Sequence, residues 1–306
     1  MKSNELPAPL RGIVVPMITP LKDHDTLDAQ GLEKLIEHIL AGGVNALFIL
    51  GTTGEGPSLS YRLRAEVIEK SCAQVAGRVP VLVGITDTAF EESLVVARKA
   101  KEAGAQGLVL AHPSYFPAAQ CEILDYLKHL ARHLPLPVFL YNMPSHTKLT
   151  FAPDTVRQAA DLKGIVGLKD SSANMFYFHQ LQMQLKQKPD FTLLVGPEEL
   201  LAETVLLGGH GGVNGGANMK PKLYVDLYNA AIAADTKKIA ALHDEVMTIS
   251  GKIYTVGAHS SYLRGLKCAL SCMGICSDAL AEPFRPFSGE DRKKIAQRVE
   301  ELGLKA

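Results

Sequence analysis

Residues 164–172, Gly-Ile-Val-Gly-Leu-Lys-Asp-Ser-Ser, place a lysine directly after a short apolar run. Ile165, Val166 and Leu168 form a run that is typical of a buried β-strand. Lys169 comes at its end, where burial of an ammonium would disfavour the charged form. A lysine in that environment is a nucleophilic amine that can form a Schiff base with a carbonyl compound. The alternative is that the strand ends at Leu168 and Lys169 points to water, as most lysines do.

The composition is that of an ordinary globular protein. The chain has 306 residues, of which 47% are hydrophobic and 21% are charged, so a large core can form. Its 32 basic and 32 acidic residues give a net charge of zero, which favours neither nucleic acid nor a membrane surface as a partner. The apolar run Ala46–Leu50 is far too short to cross a bilayer, and residues 1–10 lack the apolar segment of a signal peptide. We therefore expect a cytoplasmic protein.

The cysteines argue against a disulfide framework, because there are five of them, scattered along the chain. Cys268, Cys272 and Cys276 are four residues apart and would share a helical face if one helix covered all three. A metal site is conceivable there. However, Gly274 interrupts the run, and no nearby His or Asp completes a familiar ligand set. We therefore interpret the three cysteines as small buried residues and predict no metal.

Short apolar runs alternate with amphipathic stretches along most of the chain. The predicted strands are Gly12–Ile18, Ala46–Leu50, Val79–Gly84, Gly107–Leu110, Pro137–Tyr141, Ile165–Leu168, Phe191–Val195 and Gly211–Val213. The predicted helices are Asp28–Leu40, Ser60–Val75, Ala89–Ala103, Ala119–His133, Pro153–Ala159, Phe176–Gln187, Glu198–Leu207 and Pro221–Ala233. The strands are apolar throughout, as in parallel sheets that helices cover on their outer face.

Eight such units in about 230 residues predict an α/β protein of the (β/α)8 TIM-barrel class, spanning residues 1–235. An open, doubly wound sheet is the alternative. It is less favoured because no Gly-x-Gly-x-x-Gly turn follows the first predicted strand. Residues 236–306 have a mostly helical pattern, broken at 283–286, and are predicted to form a C-terminal helical extension of the barrel.

Chemically distinctive segments follow the predicted strands, where a (β/α)8 barrel collects its functional groups. They are Gly-Thr-Thr-Gly-Glu-Gly at 51–56, His-Pro-Ser-Tyr-Phe-Pro at 112–117, Tyr-Asn-Met-Pro-Ser-His at 141–146, Lys169, Gly-Pro-Glu-Glu at 196–199 and Gly-Gly-Val-Asn-Gly-Gly at 211–216. Their common location predicts a single site at one end of the barrel.

Each segment also has a plainer interpretation. Gly-Thr-Thr-Gly can be a simple turn, although its amides and hydroxyls suit a carboxylate. Tyr115 and Tyr141 can be packed aromatics whose hydroxyls find local partners. Glu198 and Glu199 can favour the first turn of a helix through its dipole while pointing to solvent. One shared site is nevertheless the simpler interpretation, because all the segments fall at the same end of the strands.

Three segments resemble the dihydrodipicolinate synthase and N-acetylneuraminate lyase family of class I, Schiff-base aldolases. They are Gly-Thr-Thr-Gly-Glu at 51–55, Tyr-Asn-Met-Pro at 141–144 and Gly-Leu-Lys-Asp-Ser at 167–171. The resemblance extends from Gly12 to about Gly289. It implies a carbon–carbon lyase that uses pyruvate and a small aldehyde or 2-oxo acid, and that needs neither a metal nor a cofactor.

The resemblance also implies roles for individual residues. Lys169 would attack the ketone of pyruvate, or of a 2-oxo acid that releases pyruvate, and Tyr141 would shuttle protons. Thr52 and Thr53 would bind the carboxylate next to the ketone, with Thr53 also helping to relay protons. The backbone carbonyl of Val213 would face the imine.

Tyr115 is implied to act across a subunit contact. In relatives similar to dihydrodipicolinate synthase, the matching tyrosine joins the relay of Thr53 and Tyr141 in the neighbouring subunit. The resemblance therefore implies a homotetramer, arranged as a dimer of dimers.

The substrate segments depart from dihydrodipicolinate synthases. His146 lies where those enzymes carry an arginine that holds the second substrate's carboxylate, and Ser114 lies where they commonly carry another tyrosine. Gly196, Glu198 and Glu199 resemble the Gly-x-Asp-Glu segment of N-acetylneuraminate lyases, whose acidic pair binds hydroxyls, although Gly215 replaces a serine of those lyases. We therefore predict a hydroxylated 2-oxo acid as substrate, either a 2-oxo-3-deoxy sugar acid or an N-acetylneuraminate-like compound.

Two alternatives remain open at this point. One is dihydrodipicolinate synthase activity, which condenses pyruvate with aspartate semialdehyde. The other is a non-catalytic barrel that binds and senses a small acid.

Overall fold

Eight parallel strands close into a barrel in the computed structural model, which describes residues 5–113, 115–257 and 261–305. The strands are β1 (Gly12–Pro16), β2 (Ala46–Ile49), β3 (Val81–Gly84), β4 (Gly107–Ala111), β5 (Val138–Asn142), β6 (Ile165–Asp170), β7 (Thr192–Val195) and β8 (Gly211–Val213). Each strand pairs with the next, and β8 pairs with β1. The predicted (β/α)8 TIM barrel is confirmed.

Helices connect the strands around the outside of the barrel. They are α1 (Ala29–Ala41), α2 (Tyr61–Val75), α3 (Phe90–Glu102), α4 (Gln120–Ala131), α5 (Pro144–Thr147), α6 (Pro153–Ala159), α7 (Met175–Gln184), α8 (Leu201–Leu206) and α9 (Pro221–Ile232). The Ser60 hydroxyl caps α2 by accepting from the backbone N–H of Leu63 at 3.3 Å. The sequence analysis missed α5, because a single turn of four residues shows no hydrophobic period.

The core has two layers, because successive side chains of a strand point to opposite faces. Val14, Phe48 and Phe139 belong to a cluster that fills the barrel interior. Their strand neighbours, such as Val15 and Leu47, belong to the larger cluster between the barrel and the helices. Alternate residues of a strand therefore point into the barrel, and the residues between them point toward the helices.

The register between β5 and β6 shifts by one residue near the start of the two strands. Val138 pairs with Ile165, but Phe139 pairs with Gly167, so Val166 is an extra residue in β6. A β-bulge of this kind shifts the alternation of side chains beyond it by one position. The bulge therefore determines which face of the barrel the rest of β6 presents to the interior.

Lys169 faces the interior as a result of this bulge. Regular pairing from the start of β6 would set Tyr141 opposite Leu168, whereas the observed register sets it opposite Lys169. The strand continues to Asp170 and does not end at Leu168. Lys169 is only 6% exposed, so the alternative in which it points to water is wrong.

Three further helices follow the barrel. They are α10 (Thr236–Ile253), α11 (Ser261–Cys272) and α12 (Gly289–Glu301). Val246, Leu266 and Ile295, one from each helix, are buried in the same core as the barrel's outer layer. In the described ranges no helix has the length and apolar character that crossing a membrane requires.

The three evenly spaced cysteines do not share one helical face. Helix α11 ends at Cys272, and Gly274 adopts a φ of 77°, which stops the helix before Cys276. Cys268 is buried in the core. Within the described part of the chain, no group of three metal-ligating side chains comes together.

A buried ion pair joins α11 to the loop after β2. The ammonium of Lys267 contacts the carboxylate of Glu55, and the two side chains are 0% and 1% exposed. Lys267 also donates to the carbonyl of Thr19 at 2.9 Å, and the other carboxylate oxygen of Glu55 accepts from the backbone N–H of Ala281 at 2.8 Å. Glu55 has a φ of 56°, so these contacts hold a non-glycine residue in the left-handed region. The C-terminal helices thereby fix the end of the Gly-Thr-Thr-Gly-Glu loop.

We expect Lys267→Met to lower the free energy of unfolding by about 3–5 kcal/mol, because it leaves the Glu55 carboxylate buried without its partner. Adding Glu55→Gln should recover part of this loss, since a neutral amide costs less to bury than a charge. The measurement is equilibrium unfolding in denaturant.

Lys293→Met is the matched control. Its pair with Glu290 is exposed, at 76% and 77%, so its loss should stay below about 1 kcal/mol. Equal losses in the two lysine variants would contradict the assigned importance of the buried pair.

Candidate active site

A cavity of about 830 Å³ opens at the carboxyl ends of the strands. Its volume suits a small organic molecule with room for a second one. Nearly all of the predicted site residues line it, namely Thr52, Thr53, Tyr141, His146, Lys169, Gly196, Glu198, Glu199 and Val213. The structure therefore brings together residues from the ends of five strands, β2, β5, β6, β7 and β8.

Lys169 lies against two aromatic rings in this cavity. Its Nζ is 4.1 Å from the centre of the Tyr141 ring and 5.2 Å from that of Phe48. The two rings stand edge to face, at an interplanar angle of 88°. No carboxylate forms an ion pair with Lys169 among the described residues. The amine is thus held by aromatic faces, which stabilise a cation much less than a carboxylate would.

Tyr141 is an acid–base group that lies directly beside Lys169. Burial alone would raise the pKa of its phenol, but the Lys169 ammonium and the hydroxyls of Thr52 and Ser171 lower it, and the net pKa lies below the ordinary value. The phenol oxygen is 3.3 Å from the Thr52 hydroxyl. A tyrosine whose pKa is lowered beside an amine is suited to exchanging protons with it.

The two threonines point to different partners. Thr52 contacts Tyr141, whereas the hydroxyl of Thr53 lies 3.1 Å from the hydroxyl of Tyr262. The sequence analysis placed Thr53 in a relay with Tyr141, and that role stays a prediction; in the structure, the threonine hydroxyl in contact with Tyr141 is that of Thr52. The reason is the tight turn, in which consecutive side chains diverge; Gly56 donates across it to the Gly51 carbonyl at 3.1 Å.

Glu198, which follows β7, is buried in the wall of the cavity. One of its carboxylate oxygens accepts from the backbone N–H of Gly216 at 2.7 Å, and the other accepts from the hydroxyl of Tyr224 at 3.0 Å. Burial raises the pKa of this carboxyl to about 7. Each oxygen therefore already accepts one hydrogen bond from the wall, and the substrate-binding role that the sequence suggested for Glu198 stays a prediction.

Glu199 is half-buried and accepts from the hydroxyl of Ser250 in α10 at 2.6 Å. The plainer interpretation, in which both glutamates point to solvent, is therefore wrong. The two carboxylates differ in their surroundings, because Glu198 is enclosed while Glu199 lies at the edge of the cavity and keeps one oxygen available.

His146 lies at the rim of the cavity, in α5. Its Nδ1 is 2.9 Å from the hydroxyl of Ser145. The surrounding protein lowers the pKa of the ring, and the positive charges of Lys148 and Lys169 lower it further. His146 is thus neutral at pH 7 and differs in charge from an arginine at the same place.

Tyr115 is the one predicted catalytic residue that lies outside the cavity. Its side chain is 78% exposed and its ring packs edge to face against that of Phe116, which is 77% exposed. Ser114, which the sequence analysis compared with a tyrosine of relatives, lies outside the described residues.

Two tyrosines of the cavity were missed by the sequence analysis. Tyr254 follows α10, and Tyr262 lies in the first turn of α11, and both line the cavity. The rule that functional groups follow barrel strands does not extend to helices added after the barrel. No local motif marks either tyrosine, so the sequence offered no signal for them.

Residues 9–302 match the sequence model of the dihydrodipicolinate synthetase family. The chain belongs to this family. It is 55% identical to dihydrodipicolinate synthase from Bacteroides thetaiotaomicron, whose structure superposes with a TM-score of 0.95 over 97% of this chain and 100% of that one. It is 29% identical to YagE of Escherichia coli K12, a family member solved in complex with pyruvate, with a TM-score of 0.90 over 96% and 99% of the two chains.

A further relative is named as an aldolase. The probable 2-dehydro-3-deoxy-D-pentonate aldolase YjhH of Escherichia coli K12 is 31% identical over 287 residues, which cover 93% of this chain and 94% of the relative. The predicted family and the predicted class of carbon–carbon lyase are therefore confirmed, and so, at the level of the family, is a Schiff-base, pyruvate-dependent aldolase.

The buried carboxyl of Glu198 predicts a pH-dependent stability. Its pKa of about 7 in the folded protein lies above that of an unfolded glutamate, so its contribution is fully present at acidic pH and is lost as pH rises through about 7. Glu198→Gln removes this titration. The midpoint of thermal unfolding of Glu198→Gln, relative to wild type, should therefore rise by a few degrees between acidic and mildly alkaline pH.

Glu199→Gln serves as the control, because it removes a carboxylate from the same wall and keeps Glu198. It should retain the pH trend of the wild type. A constant difference between Glu198→Gln and wild type across the pH range would show that Glu198 does not titrate there.

Proposed function

We propose that Lys169 forms a Schiff base with pyruvate, or with a 2-oxo acid from which pyruvate is released. The observation that carries this proposal is a buried amine that has no carboxylate partner among the described residues and that lies beside a phenol whose pKa is lowered. An amine of this kind can attack a ketone, and the phenol can exchange the protons that the reaction requires.

The proposed chemistry runs through one imine. The Lys169 amine adds to the ketone carbon, and the resulting carbinolamine loses its hydroxyl as water after protonation by Tyr141. The protonated imine then accepts the electron pair of the carbon–carbon bond that breaks, while the Tyr141 phenolate takes the proton of the adjacent substrate hydroxyl, which leaves an enamine of pyruvate and an aldehyde. Protonation of the enamine and hydrolysis of the imine release pyruvate and restore the amine; the reverse sequence makes the bond. Thr52, in contact with Tyr141, would pass protons to and from it.

The loop after β2 would bind the carboxylate next to the ketone. Thr52 and Thr53 line the cavity together with Gly51, and their hydroxyls are the donors proposed for the carboxylate. Gly196 and Val213 line the cavity on the other side, where the Val213 carbonyl would face the imine. Anchoring the carboxylate would hold the ketone in reach of Lys169, which is the main requirement of such a reaction.

The proposed substrate is a hydroxylated 2-oxo acid with one carboxylate, of the 2-oxo-3-deoxy sugar acid or N-acetylneuraminate-like type. Among the described residues that line the cavity, Lys169 is the only lysine or arginine, and it becomes the imine. His146 is neutral at pH 7 and would be a weak partner for a second carboxylate. Glu199 retains an oxygen for a substrate hydroxyl. The aldolase relative from E. coli supports this choice.

Dihydrodipicolinate synthase activity is the second candidate. It is favoured by the 55% identity to the B. thetaiotaomicron synthase. In that case His146 would bind the carboxylate of aspartate semialdehyde in place of an arginine.

The proposal includes a cytoplasmic homotetramer, arranged as a dimer of dimers, in which Tyr115 reaches the cavity of a neighbouring subunit. The exposed pair of Tyr115 and Phe116 supports this assembly, because two adjacent aromatic side chains that are more than three-quarters exposed favour an interface.

Borohydride reduction in the presence of pyruvate tests the proposed function. The wild type should gain a pyruvate-derived mass on a peptide that contains Lys169. Lys169→Ala should gain none there, and Lys169→Arg should be inactive as well, because a guanidinium stays protonated. Lys163→Ala, which changes an exposed lysine just before β6, is the control and should be labelled like the wild type. Undiminished labelling of Lys169→Ala would refute the assignment.

The substrate proposal is tested by comparing kcat/KM for cleavage of a 2-oxo-3-deoxy sugar acid with kcat/KM for condensation with aspartate semialdehyde. The first should be larger. His146→Arg should raise the second by up to about a hundredfold, since a charge-assisted hydrogen bond contributes ~1.5–3 kcal/mol. A wild-type preference for the semialdehyde would instead support the synthase.

A further inference from the structure

Tyr262 brings a hydroxyl from the C-terminal helices into the barrel cavity. Its phenol oxygen lies 3.1 Å from the hydroxyl of Thr53. Its ring packs against Tyr254, with the ring centroids 4.7 Å apart. The described residues thus contain two separate pairs of hydroxyls around the loop, in which Thr52 contacts Tyr141 and Thr53 contacts Tyr262.

Gly215 makes room for this hydroxyl. A Cβ added at Gly215 would lie 1.8 Å from the Tyr262 phenol oxygen and 2.8 Å from the Cζ of its ring. No real side chain can approach so closely, so the Tyr262 hydroxyl occupies the space that a side chain at position 215 would otherwise take. Gly215 and Tyr262 therefore depend on each other.

Tyr262 can donate the hydrogen bond to Thr53. Burial raises the pKa of Tyr262 above its ordinary value, and the nearby Glu198 carboxylate adds to this effect, so the phenol keeps its proton. Thr53 is the hydrogen-bond acceptor that the described residues offer to that proton. A threonine hydroxyl has one proton and can accept two hydrogen bonds. When Tyr262 donates, the Thr53 proton remains available to a ligand.

We propose that Tyr262 is a positioning residue for the substrate carboxylate: its donation to Thr53 turns the Thr53 hydroxyl proton toward the cavity, where the carboxylate accepts it. The proposal rests on the proposed function, because it assumes that Thr53 binds the carboxylate of pyruvate. It assigns to α11 a part of the binding site that the barrel loops alone do not supply.

The first test compares Tyr262→Phe with wild type by borohydride trapping at increasing pyruvate concentrations. Loss of one neutral hydrogen bond should raise the half-saturating pyruvate concentration, and KM for pyruvate with it, by about 3- to 10-fold. The limiting amount of trapped adduct and kcat should change much less. A merely structural role would instead lower the active fraction and leave the half-saturating concentration unchanged.

Tyr177→Phe is the matched control. It also removes a phenol hydroxyl with a buried hydrogen bond, to the carbonyl of Phe151 at 2.8 Å, but it lies outside the cavity lining. It should leave the half-saturating pyruvate concentration as in the wild type. An equal increase in both variants would overturn the specific role of Tyr262.

The second test supplies the hydroxyl from position 215 instead of position 262. Tyr262→Leu removes the ring atoms nearest to Gly215, so Gly215→Ser can then place its own hydroxyl near the vacated phenol position. The double variant should bind pyruvate more tightly than Tyr262→Leu alone, whereas Gly215→Ser by itself should weaken binding, because it displaces Tyr262. No recovery in the double variant, together with unchanged binding in Tyr262→Phe, would overturn the proposal.

The wild-type result separates this proposal from the proposed function. If the wild type forms no adduct with pyruvate, the proposed function fails and this inference fails with it. If the wild type forms the adduct and Tyr262→Phe forms it at the same pyruvate concentration, only the inference about Tyr262 fails.

Discussion

The register of β5 against β6 is the constraint on which the site depends. In parallel strands, paired residues present their side chains to the same face of the sheet. The pair formed by Tyr141 and Lys169 therefore points into the barrel together, and it does so because the bulge at Val166 shifts the pairing by one residue. If pairing continued regularly from Val138, with Val166 opposite Phe139, Leu168 would face the interior and Lys169 would lie under the helices. The inward orientation of Lys169 thus depends on a bulge near the start of β6. Bulges are common next to active sites.

The barrel could be predicted from the sequence because its signals are local. Each strand is a short apolar run, and each helix has a periodic apolar face, as in the run of Leu32, Leu35 and Ile36. The position of Lys169 at the end of such an apolar run could also be predicted from the sequence. Its inward orientation was not, because it depends on the pairing of Phe139 with Gly167, and apolar composition does not specify register.

The rest of the site could not be predicted because it arises from contacts between distant parts of the chain. Whether Thr52 or Thr53 reaches Tyr141 depends on the direction of each side chain in a tight turn, and both have the same chemistry. Glu198 resembles a substrate-binding carboxylate in sequence, but the sequence does not show that its oxygens accept hydrogen bonds from Gly216 and Tyr224. The resemblance thus predicted which residues line the cavity, but not which hydrogen bonds they form with one another.

The Lys267–Glu55 pair has a consequence for the order of events during synthesis. Its two residues are 212 positions apart in the sequence. The Glu55 carboxylate also needs the backbone N–H of Ala281, so its burial requires nearly the whole chain. A growing polypeptide can assemble strands and helices as they leave the ribosome, but the loop that ends at Glu55 cannot take its final form until α11 has emerged. The cavity is therefore completed only after residues up to Ala281 have left the ribosome, and a chain that stops before them lacks the partners of Glu55.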